Sequence, residues 1–213
     1  MSEEASLVRS QRLYEQAVFG GNAEALSIAE LELDEVEAGL ALARGRILHA
    51  RFLEQRQEDL RELPLFELAA ELYRKLGDVR GEAEALFWVG CFHQVIRGDN
   101  DAAAAVLARS YELSSAAGDK LTMSYAVRHL GFADMAAGRM SEARERFEES
   151  VALRREIHFM PGVAAGLIAL AHVTATGGGR DEASALLAEA KLIAEQSDAY
   201  GVLRWVEQAQ AEL

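Results

Sequence analysis

The stretch 127–150, VRHLGFADMAAGRMSEARERFEES, decides the fold. Val127, Leu130 and Gly131 share one face of a first helix, Gly138 breaks it, and Ala143, Phe147 and Ser150 share one face of a second. The same six positions recur upstream as Leu86, Val89, Gly90, Ala103, Leu107 and Ser110, and downstream as Leu167, Leu170, Ala171, Ala183, Leu187 and Ala190. Further out, Phe66, Leu107, Phe147 and Leu187 stand 41, 40 and 40 residues apart, and Leu72, Leu113, Leu153 and Ile193 follow at the same intervals. A helical hairpin of this length cannot bury its apolar face alone, so identical hairpins stack, and the stack leaves a long concave surface suited to binding. The expected fold is an all-α solenoid of antiparallel helix hairpins.

Glycine punctuates the array. Gly77-Asp78, Gly98-Asp99, Gly118-Asp119, Gly138-Arg139 and Gly179-Arg180 mark helix ends, because glycine takes the left-handed conformation after a helix and aspartate caps the next one. These cuts predict helix pairs at 34–57 with 63–76, 80–97 with 100–117, 120–137 with 141–157, and 161–176 with 181–196. The organisation expected is a degenerate hairpin or cap over 1–33, four hairpins over 34–199, and a capping helix over 200–213. Gly177-Gly178-Gly179 precedes a helix but lacks the strand and the lysine of a phosphate-binding loop, so it reads as a turn.

On these residues the chain resembles the tetratricopeptide repeat, in the longer-period form of bacterial regulators and kinesin-light-chain-like arrays. The likeness spans about residues 45–200, and its first copy departs from the pattern. His49 occupies a small-residue position, Glu62 stands where alanine is expected, and Pro64 falls in the first turn of a helix, where its missing N–H costs nothing. The resemblance implies a right-handed superhelix whose first helices line the groove. Carried over position by position, it assigns the groove to Arg46, Ala50, Phe87, Cys91, Gln94, Tyr125, Arg128, Phe132, Met135, Ile168 and His172. Arg46 and Arg128 stand two periods apart, and each is able to hold a carboxylate beside apolar side chains; pairing with Glu82 and Glu84 is the competing use. Trp88, Phe92 and Tyr111 read as packing residues.

Composition narrows the functions. The net charge is −13 with no run of five basic residues, which excludes a phosphate-backbone footprint and therefore direct nucleic-acid binding. The single Cys91, the absence of a leading apolar segment and of any membrane-length apolar run predict a cytoplasmic protein with no membrane partner. No catalytic set, metal-ligand spacing or cofactor motif is present. His93 and Asp134 occupy equivalent first-helix positions and could meet, and Cys91 faces the groove with no base placed beside it by spacing. The reading is a non-enzymatic, regulatory module that binds a protein or peptide, with a homodimer through one end possible. The alternative is a small-molecule sensor or enzyme built on the same solenoid.

Overall fold

A computed structural model describes residues 3–213. Ten α-helices follow in order: α1 Glu3–Val18, α2 Glu24–Gln55, α3 Glu62–Leu76, α4 Val79–Cys91, α5 Asn100–Ala116, α6 Lys120–Ala136, α7 Met140–Glu156, α8 Met160–Thr176, α9 Arg180–Gln196 and α10 Tyr200–Glu212. Each helix packs against its neighbour in the chain, and α4 also touches α6 while α8 touches α10. Alternate helices therefore form an inner layer and the others an outer one, as in a tetratricopeptide-like solenoid. α2 begins at Glu24, well before the expected start at residue 34, and runs unbroken past Asp34. Its first part packs on α1. No described helix is long and apolar enough to cross a membrane.

The turns explain the repeat length. Left-handed residues fall every 20 positions at Gly98, Gly118, Gly138, His158, Gly178 and Asp198, whereas Gly77 to Gly98 spans 21. The extra residue sits in a π-helical turn, Phe92–Ile96, that continues α4. Beyond each left-handed residue the next N–H normally bonds the carbonyl five residues back, as in Asp119 to Ser114 and Arg139 to Asp134, but Asp99 reaches six back to His93. A π turn is one inserted residue accommodated without breaking the helix, and it rotates the side chains around it. The 41-residue interval between Phe66 and Leu107 has this cause.

The apolar series fills the gaps between layers. Phe66, Leu107, Phe147 and Leu187 are all buried. Small residues receive them: a Cβ on Gly131 would lie 2.7 Å from Phe147 Cε1, and one on Gly90 would lie 2.6 Å from Leu107 Cγ. In the first hairpin the receiving glycine is Gly45, where a Cβ would lie 2.4 Å from Phe66 Cε1. It has moved one turn because His49 fills the usual position, bonding Glu62 through Nδ1 to Oε1 at 2.9 Å. Two small residues of the other repeats are thus replaced by one buried hydrogen-bonded pair.

Candidate binding site

Side chains of the inner layer converge on a cavity of about 470 Å³. His49 and Leu53 reach it from α2, Phe87, Trp88 and Cys91 from α4, and Tyr125, Arg128 and His129 from α6. Arg154 enters from α7, Pro161, Gly162 and Ala165 from α8, and Val202 and Trp205 from α10. Phe159, at the turn before α8, completes the wall. The aromatic side chains brace one another: Phe87 stacks on Tyr125 at 5.3 Å, and Tyr125 meets the edge of Phe159 at 6.1 Å. Contacts of this kind hold rings in place beyond their area burial.

Two guanidiniums face this apolar space. Arg154 is 2% exposed; its Nε donates to Ser124 Oγ at 3.2 Å and its Nη1 to the Gly162 carbonyl at 2.8 Å. Its Cζ lies 5.0 Å from the Tyr125 ring. Arg128 sits 4.5 Å over Phe132 and reaches the Ala165 carbonyl only at 3.5 Å. Its Nε is buried with no hydrogen-bond partner. Burial pushes Arg128 down to about 9, helped by Arg154, and burial alone pushes Arg154 down to about 10. Both remain charged at neutral pH.

Burial and then the same arginines push His129 well below its ordinary range, so its ring is neutral. Gln94 Nε2 donates to Asn100 Oδ1 at 2.9 Å and to the His129 carbonyl at 3.0 Å, which leaves Gln94 Oε1 to accept from His129 Nδ1 at 2.7 Å. Donor counting therefore assigns the proton to Nδ1. The π turn aims Gln94 at this task, so it supports the wall instead of lining the cavity.

Cys91 lies 3.7 Å from His49 Nε2, and His49 in turn bonds Glu62. Repeat spacing places no base beside Cys91; the one that stands there comes from the departure in repeat one. The connectivity is that of a nucleophile, base and acid, but burial and the Glu62 charge push the thiol up to about 12. A 3% exposed thiol held protonated is in the state of an inert cysteine.

Of the sequence-derived groove positions, Phe87, Cys91, Tyr125 and Arg128 come together at the cavity. Arg46 does not serve as a free anchor, because it is paired with Glu84 and lies 5.9 Å over Trp88. Phe132 and Met135 pack into the core, with Phe132 edge-on to Phe147 at 5.0 Å. Ile168 and His172 line a separate cavity of about 450 Å³ with Arg180 and Trp205. His93 and Asp134 do not meet: Asp134 pairs with Arg139 and Arg146, and His93 abuts Phe92. Trp88, read from sequence as a packing residue, stacks on Phe66 at 5.5 Å and also lines the cavity. Arg154 escaped notice although it carried a signal, since Ser114 and Ala194 stand 40 residues to either side of it.

This architecture is that of a tetratricopeptide-like solenoid. No protein-family profile matches the chain, and no curated protein matches it in sequence. Among solved structures, a Podosopora anserina protein described as a kinesin light chain with nearly identical TPR-like repeats aligns over 84% of this chain and 87% of its own, at TM-score 0.54 and 17% identity. BtubC from P. vanneervenii aligns over 92% of this chain and 91% of its own, at TM-score 0.48 and 16% identity.

Proposed function

We propose that this chain is a non-enzymatic, regulatory binding module that takes a protein or peptide partner on its concave face. The observation that carries the reading is the convergence of inner-layer side chains from α2 to α10 on one aromatic cavity. An apolar hollow with few polar groups gives affinity through burial and direction through sparse hydrogen bonds. The inert state of Cys91 supports a binding role over a catalytic one. The acidic surface and lack of a basic run support a partner other than nucleic acid, and the lone cysteine supports a reducing, cytoplasmic setting.

Selection from a displayed peptide library tests this, using the folded chain and a Tyr125→Ala variant as baits. Enriched peptides should share an aromatic or branched apolar residue and bind the variant at least tenfold more weakly. Selection of nothing, or of peptides that bind both baits equally, would remove the concave face as a peptide-recognition surface. The small-molecule sensor keeps a specific observation in its favour: a volume of about 470 Å³ is that of a single-ligand site.

A further inference from the structure

The cavity carries a charge that the rest of the chain opposes. The net charge is −13, yet Arg128 and Arg154 line the cavity and no aspartate or glutamate does. Many of the other arginines do have acidic partners, as with Arg46 and Glu84, Arg144 and Glu182, and Arg155 and Glu189. Among the described residues, the hydrogen bonds that Arg154 and Arg128 donate go only to Ser124, Gly162 and Ala165. The buried Nε of Arg128 has no partner. An uncompensated guanidinium in an apolar cavity is expensive. Packing does not demand it, since Ser114 and Ala194 fill the positions equivalent to Arg154.

We propose that the cavity binds a small amphipathic carboxylic acid, with its carboxylate on Arg128 and Arg154 and its apolar body against Phe87, Trp88, Tyr125 and Phe159. The proposal rests on the second, small-molecule reading of the concave cavity and names its occupant. A carboxylate fits the guanidinium fork and supplies the missing negative charge. A phosphate would turn its remaining oxygens toward aromatic rings. The cavity is lined from both ends of the array, by α2 and by α10, and its volume of about 470 Å³ suits one small molecule.

Both tryptophans of the chain, Trp88 and Trp205, line the cavity, so intrinsic fluorescence reads its occupancy without a label. The probes are 3-phenylpropanoate, indole-3-acetate, 4-methylpentanoate and octanoate, each beside its uncharged amide, titrated at low salt into the full chain. At least one acid should give a saturable change and a raised melting temperature, with its amide roughly tenfold weaker or more. Arg128→Gln, shown to be folded by circular dichroism, should bring that acid down to the amide's affinity. Equal binding of acid and amide, or unchanged acid binding by Arg128→Gln, overturns the carboxylate anchor and leaves the cavity as a binding site. Failure of every acid, while library-selected peptides still quench the tryptophans, overturns the proposal and spares the peptide reading. A peptide ending in phenylalanine that outbinds the acids only with a free terminal carboxylate also overturns it, assigning the arginines to a chain terminus.

Discussion

Arg128 and the His49–Glu62 pair are residues that the fold alone does not ask for, and their energetics should separate. Arg128 contributes a half-buried charge without a carboxylate, so Arg128→Met should stabilise the chain by about 0.5–2 kcal/mol in thermal unfolding while weakening ligand binding. A fall in melting temperature would mean that the guanidinium is a structural group. Glu62, fully buried against His49, is different. Glu62→Ala should cost about 3 kcal/mol, because it strands the His49 ring. His49→Gly with Glu62→Ala restores the small pair of the later repeats and should cost less than the sum of the single changes, measured by a urea-unfolding cycle. Additive losses would show that the pair does not act as a unit. Cys91 supplies a pH prediction: its folded value lies near 12 against an ordinary 9.0. The stability that the protonated thiol contributes is therefore complete below pH 9 and lost as pH rises toward 12. Iodoacetamide at pH 8 should modify Cys91 only as fast as the chain opens, and rapid modification of the folded protein would contradict this.

At the scale of elements, glycine has two meanings that one pair of substitutions distinguishes. Gly131→Ala gains helix propensity but drives a methyl into Phe147, and the overpacking should win, for a net loss of about 1–3 kcal/mol. A Cβ on Gly39 in α2 would meet only Tyr73 Oη, at 3.9 Å, so Gly39→Ala should stabilise by about 0.5–1 kcal/mol. Chemical denaturation of both variants checks the sign of each. The hairpin rhythm was legible because glycine ends and apolar spacing are local properties of the chain. Phe66, Leu107, Phe147 and Leu187 announce their burial by period alone. The π turn was less visible: one inserted residue looks the same in sequence whether a loop or a helix absorbs it. Of the groove, Phe87, Tyr125 and Arg128 follow from the inner-helix register, while Gln94, in the π turn, bonds His129, a contact that repeat spacing does not contain. Arg154 comes from an outer helix and reaches inward past Ser124, a path set by side-chain length that a helix-face assignment does not contain.

The whole molecule is an array with unequal ends. Surface ion pairs such as Lys120 with Glu156 and Arg155 with Glu189 stitch the outside of successive repeats, each worth under about 1 kcal/mol. At the N-terminal end, Leu26, Leu33, Leu40 and Ile47 remain exposed at seven-residue intervals along α2, with Leu7 and Tyr14 exposed on α1. A seven-residue apolar stripe is the pattern by which a helix packs on a copy of itself. Light scattering at high concentration should give a dimer mass, and Leu33→Lys with Leu40→Lys should give a monomer. A monomer mass for the unsubstituted chain would show that the stripe does not self-associate. The central claim remains that the concave cavity is where this solenoid recognises its ligand. Its most direct test is an NMR titration of the ¹⁵N-labelled chain with the strongest binder found, following the indole N–H signals of Trp88 and Trp205. The account predicts that both signals shift together with amides around Phe87, Arg128 and Ala165; shifts confined to α3, α5, α7 and α9, with both indoles unmoved, would contradict it.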